Sequence, residues 1–169
     1  MSIKPVLPLL FLLAACECNP DVDTLSVGTF SGTWTIDPSV DNISELQELN
    51  ATLNITSRTP QCSDENSWFT LEGTLNVTQG DQQAEMTLAN AQSRSTAGAR
   101  GFVFQIDIQD TFLQSVLPSP IDPNPDDAGD TLLEVSGNQT DGTVEATARS
   151  FTIVSPVPTY GRFNLSQGE

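Results

Sequence analysis

Asp122, Asn124, Asp126 and Asp130 place side-chain oxygens at positions 1, 3, 5 and 9 of a turning loop, a pattern suited to a hard cation such as calcium. Position 6 is Asp127, where a calcium loop needs glycine for its sharp turn, and position 12 is Leu133 instead of a bidentate glutamate. A solvated acidic loop is therefore the competing reading. The acid pairs Asp126/Asp127 and Asp107/Asp110 could in principle serve as general acid and base. Their loop and outer-strand settings offer no burial to shift a carboxyl pKa toward that task. The chain contains no histidine, which removes the usual partner of a serine or cysteine nucleophile. It has no G-x-S-x-G, no phosphate-cradling glycine loop and no S-x-x-K. The expectation is a non-catalytic protein whose one candidate cofactor is calcium.

A second set of residues suits apolar contact. Trp34, Met86, Phe102, Phe104 and Phe112 are candidates to line a cavity for a small apolar ligand, and Phe112, Leu113, Val116 and Leu117 have the spacing of one or two helical turns with an apolar side. That segment is either a plug over one end of the core or a lid over such a cavity.

Strands must hold these residues, because the apolar pattern repeats every second position. Phe30, Trp34 and Ile36 alternate with Ser31, Thr33 and Thr35; Leu49 to Ile55 alternate with Asn50, Thr52 and Asn54. Phe69, Leu71, Leu75 and Val77 make the clearest run, and Gly80-Asp81 turns it toward Ala84, Met86 and Leu88 as a hairpin. Phe102 to Ile108 form a fifth run, and Leu133 with Val135 a sixth. Asp141-Gly142 turns the chain into Val144, Ala146 and Ala148, after which the apolar phase slips by one and predicts a bulge between Ala148 and Ser150. Tyr160, Phe163 and Leu165 close the series.

Eight strands with polar outer faces and short turns predict an all-β chain, a single antiparallel up-and-down barrel in which closure removes the edges. A two-sheet β-sandwich is the alternative, since strand counting does not separate closure from stacking.

Charge narrows the partners. The formal balance is −16, with 22 acids against 6 bases, which disfavours nucleic acid and anionic headgroups.

The N-terminus carries an address. Lys4 precedes the apolar run Val6 to Leu13, too short to cross a bilayer as a permanent helix. Leu13-Ala14-Ala15-Cys16 then resembles the lipobox of bacterial lipoproteins. The alternative is an ordinary secretory cleavage site. The resemblance implies that residues 1–15 are a signal peptide, that Cys16 becomes the first mature residue and carries palmitate-type acyl chains, and that the protein reaches the membrane through this lipid anchor. Residues 16–27 then form a lipidated N-terminus and tether, and 28–169 the β-barrel domain. Loss of residues 1–15 removes Lys4 and no acid, so the mature charge becomes −17. Glu17, following the modified cysteine, implies outer-membrane sorting if the cell has two membranes, and otherwise the outer face of the plasma membrane. With Cys16 acylated, Cys18 and Cys62 remain to pair as a disulfide in an exported compartment, closing a loop of about 44 residues and adding roughly 3–4 kcal/mol. Six N-x-S/T sequons begin at Asn42, Asn50, Asn54, Asn76, Asn138 and Asn164; in a bacterial protein they are ordinary polar residues on strand faces.

Gly32-Thr33-Trp34 on the first strand resembles the G-x-W motif of lipocalins and related calycin barrels. That resemblance implies a Trp34 packed across the closed end of the barrel, with Arg162 of the last strand stacked over it. It also implies a small apolar ligand held in the barrel mouth. Two functions follow: a lipid-anchored carrier of such a ligand, or a structural or protein-interaction module of the cell envelope whose core its own side chains fill.

Overall fold

The computed structural model describes residues 25–36, 46–63, 66–96, 99–117, 132–150 and 159–168. The chain order is β1 (Gly28–Ile36), β2 (Gln47–Ser63), β3 (Asn66–Gln79), β4 (Gln82–Thr87), β5 (Ala89–Thr96), β6 (Ala99–Asp107), α1 (Thr111–Val116), β7 (Leu132–Thr140), β8 (Thr143–Ser150) and β9 (Thr159–Gln167). All pairings are antiparallel, and one sheet runs β2-β1-β9-β8-β7-β6-β5-β3 before β3 pairs back onto β2. Eight strands therefore close into a barrel, and the sandwich alternative is excluded.

The ninth strand is where the sequence reading fell short. The Ala84–Leu88 run, which the alternation predicts as the fourth barrel strand, contains β4, which among the described residues hydrogen-bonds to β3 alone. The barrel position belongs to β5, a polar segment from which, among the residues whose burial is described, Ala91 and Ser93 join the buried set. A break at Leu88 to Asn90 separates them: Leu88 N–H donates to the Gly73 carbonyl at 3.1 Å, and Asn90 takes a left-handed φ of 49°. Asparagine tolerates that conformation better than most residues, and here its side chain also reaches Gln105 Oε1 at 2.6 Å. The shifted chain then pairs with β3 at Ser67–Thr70 and with β6 on its other side.

The alternation read from the sequence puts its apolar members inside. Phe30, Trp34 and Ile36, Leu49 to Ile55, Phe69 to Val77, Phe102 to Ile108, and Phe163 with Leu165 contribute to one buried core. Asp141-Gly142 forms the β7–β8 turn with φ of 50° and 78°, as a two-residue hairpin requires. A register shift against β9 lies between Thr147 and Arg149, near the predicted bulge, but Arg149 stays exposed on the outer face in unbroken register with β7, so the inward slip of phase is not made at Arg149. Its continuation through Phe151 and Ile153 lies outside the described residues.

Closure brings backbones very close where the motif glycine sits. A Cβ at Gly32 would lie 2.1 Å from the carbonyl oxygen of Asn164 on β9. Gly161, with φ of +110°, meets the Thr35 carbonyl in the same way at 2.2 Å. These inward positions bear no side chain because the neighbouring strand occupies the space.

Two further segments add side chains to the core. In α1, Asp110 caps the N-terminus, its carboxylate accepting from Phe112 N–H at 2.8 Å and Leu113 N–H at 3.4 Å, while Phe112, Leu113 and Leu117 are buried. Ahead of β1, Leu25 is buried, its N–H donating to Ser93 Oγ at 3.1 Å, and Ser26 N–H donates to Gln139 Oε1 at 2.8 Å. These bonds tie residues 25–26 to β5 and β7.

Candidate functional site

Trp34 is fully buried, stacks on Phe163 with ring centroids 4.8 Å apart, and donates its indole N–H to the Tyr160 carbonyl at 2.9 Å. The expected Arg162 cap over Trp34 is not formed. Arg162 is exposed on the outer face, because adjacent residues of a strand point to opposite sides and Phe163 takes the inward position. The cation-π contact of the described residues is elsewhere, with the Arg58 guanidinium 3.7 Å from the centre of the Phe69 ring. A register shift between Ile55 and Ser57 precedes Arg58, and burial lowers its pKa. Burial likewise pushes the Tyr160 phenol above its ordinary range.

Trp34, Met86, Phe102, Phe104 and Phe112, the candidate ligand contacts, are all buried in the core. Phe102 and Phe104 lie nearly parallel, centroids 5.8 Å apart. Between them and Leu53, Leu75 and Val144 runs a narrow apolar gap with no room for a water molecule at any point. Pockets that enclose small-molecule ligands typically measure about 300–1,000 Å³.

A larger concavity lies outside the barrel. A solvent-open groove of about 600 Å³ crosses β1, β9, β8 and β7. Strand register builds it in two polar rows. Thr35, Arg162, Thr147 and Ser136 are consecutive cross-strand partners in the first, and Asn164, Glu145 and Asn138 in the second. Gly137, Ala146 and Phe163 complete the lining; Ala146 and Phe163 turn their side chains into the core, so their backbone forms the floor. Strands lie about 4.8 Å apart, so the four-residue row spans roughly 14 Å.

The sequence reading recognised these positions only as a polar outer face. The signal that marks them is the sequon itself. In a strand, N-x-T and N-x-S put both polar side chains on one face, and Asn138, Asn164, Asn50, Asn54 and Asn76 all sit at outward positions, half-buried or exposed. Asn42 lies outside the described residues.

The acid pairs divide. Asp110 serves as the helix cap, and Asp107 accepts from Gln109 Nε2 at 2.6 Å. Asp122, Asn124, Asp126 and Asp130, like Cys16 and Cys18, lie outside the described residues. Cys62 stands near the end of β2, paired through its backbone with Ser67. Among the described residues no cluster of three or more acids or cysteines is positioned to hold a metal, and no helix is long and apolar enough to cross a membrane.

Comparison with protein-family models, with curated proteins and with solved structures finds no match for this chain.

Proposed function

We propose that this protein is a lipid-anchored, non-catalytic module of a bacterial envelope that holds a hydrophilic partner in the outer groove formed by β7, β8, β9 and β1. The observation that carries the reading is the contrast between the two concavities. Among the described residues, the interior gap beside Phe102 and Phe104 has no room for water, whereas the outer groove offers about 600 Å³ to water and is lined by seven polar side chains. Strands of a closed barrel fix the backbone positions from which those side chains project, which lowers the entropy lost on binding.

The anchor rests on Leu13-Ala14-Ala15-Cys16, and acylation at Cys16 supplies membrane affinity at roughly 0.8 kcal/mol per buried methylene. Incorporation of labelled palmitate by the parent and not by Cys16→Ser supports it; equal labelling, or none in either, removes it. The groove is tested by sedimentation with isolated envelopes of the producing cell in the anchor-free Cys16→Ser background, with and without Glu145→Ala/Arg162→Ala. Undiminished retention of the double variant refutes the groove.

The apolar gap beside Phe102 and Phe104 favours a second reading, a small apolar ligand inside the barrel. Saturable binding of a fluorescent fatty-acid probe, weakened by Phe104→Ala, is its signature.

A further inference from the structure

We infer that the groove and the uncharged face beside it bind a neutral, hydroxyl-rich glycan, an inference that rests on the groove being a binding surface. Three features point to that ligand class.

The first is the mixture of donors and acceptors. Arg162 offers only donors, Glu145 only acceptors, and Asn138 and Asn164 offer both, all four exposed. Each sugar hydroxyl is itself donor and acceptor, and adjacent hydroxyls present the paired geometry that guanidinium, carboxylate and amide groups engage with two bonds at once.

The second is charge. In a chain of formal charge −16, the groove holds one cation and one anion. The sheet continuing from it carries none over a wide area. Thr29, Ser31, Thr33 and Thr35 alternate outward on β1. They are flanked by Asn50, Thr52 and Asn54 on β2, and these by Thr74, Asn76 and Thr78 on β3. Among the described residues, charges return at the margins, at Glu48, Glu72 and Glu85. A polyanion is repelled by the molecule as a whole, and a cation is drawn to the acidic surface elsewhere. A neutral ligand alone is selected for this face.

The third is continuity. The second groove row extends by cross-strand register from Asn138 through Glu145 and Asn164 to Thr33, Asn50 and Thr78. Thr29 Oγ1 donates to Asn54 Oδ1 at 3.3 Å and Ser31 Oγ lies 3.2 Å from Thr52 Oγ1, which ties the β1 and β2 side chains together. The result is a polar track crossing β7, β8, β9, β1, β2 and β3, suited to a linear polymer longer than the groove.

The test is isothermal calorimetry on the full-length protein with malto-, cello-, chito- and manno-oligosaccharides as dimers and hexamers, with heparin and oligolysine as charged comparators. At least one neutral hexamer series should saturate. Arg162→Ala and Glu145→Ala should each weaken it about tenfold, as expected for loss of a hydrogen bond to a charged group. Asn50→Lys, remote from the groove, should weaken the hexamer more than the dimer. Circular dichroism melts establish that each variant is folded. Binding of the charged comparators only, neutral binding indifferent to all three variants, or no neutral binding at all overturns the inference. Envelope sedimentation separates the two levels. If envelopes are retained through the groove while every oligosaccharide fails, the glycan assignment falls and the groove stands, with a protein partner as its occupant. If both fail, both fall.

Discussion

Replacing Trp34 distinguishes a packing role under Phe163 from one beneath Arg162. The indole is fully buried, its N–H satisfies the Tyr160 carbonyl at 2.9 Å, and its ring lies 4.8 Å from that of Phe163. Trp34→Phe keeps an aromatic contact but deletes the indole N–H that donates to the Tyr160 carbonyl, a hydrogen bond worth about 1 kcal/mol. The smaller ring also leaves a void, so a total near 2–3 kcal/mol is expected. Trp34→Ala removes the whole ring, about 3–5 kcal/mol for an aromatic-to-alanine change, plus about 1 kcal/mol of ring pairing. Against a typical domain stability of about 5–15 kcal/mol, the alanine variant is marginal and the phenylalanine variant folded. Arg162→Ala, on the outer face, should change stability by less than about 0.5 kcal/mol. Urea unfolding followed by circular dichroism measures all three. A Trp34→Phe variant as stable as the parent, or an Arg162→Ala variant as damaged as Trp34→Ala, refutes this packing.

Tyr160 is the only tyrosine in the chain, so tyrosinate absorbance reports one group. Burial raises its pKa in the fold, so its contribution to stability is complete below the unfolded value of about 10 and is lost as pH climbs through the folded one. The native titration midpoint should lie above that seen in denaturant, and a coincident pair contradicts the burial. Gly32→Ala forces a Cβ to within 2.1 Å of the Asn164 carbonyl and should cost roughly 3 kcal/mol by parting β1 from β9. A neutral result in thermal unfolding means the strands can separate freely there. Leu25→Ala should cost about 2 kcal/mol, because the side chain is buried ahead of β1; no change in the urea midpoint means the segment does not contribute to the core.

The barrel was legible because period-two apolar alternation is a direct imprint of a sheet buried on one face. Phe69 to Val77 and Phe102 to Ile108 carry it without interruption. β5 was not legible, since its inward positions are filled by Ala91 and Ser93, small residues that sequence hydropathy does not distinguish from a loop. Arg162 was misplaced by the lipocalin resemblance although its phase already pointed outward. The groove left only a faint trace. Outer-face residues face water whether or not they bind anything, and their concavity arises from register across four strands, which no local window contains. The spacing of Asn and Thr two apart reports the shared face without reporting its curvature.

Amide NMR of the isotopically labelled full-length protein, titrated with solubilised envelope material, tests the central claim most directly. The groove account predicts shifts concentrated at Thr35, Ser136, Asn138, Glu145, Thr147, Arg162 and Asn164, with Phe102, Phe104 and Val135 unchanged. Shifts centred on those three core residues, with the outer rows silent, contradict it and locate binding inside the barrel.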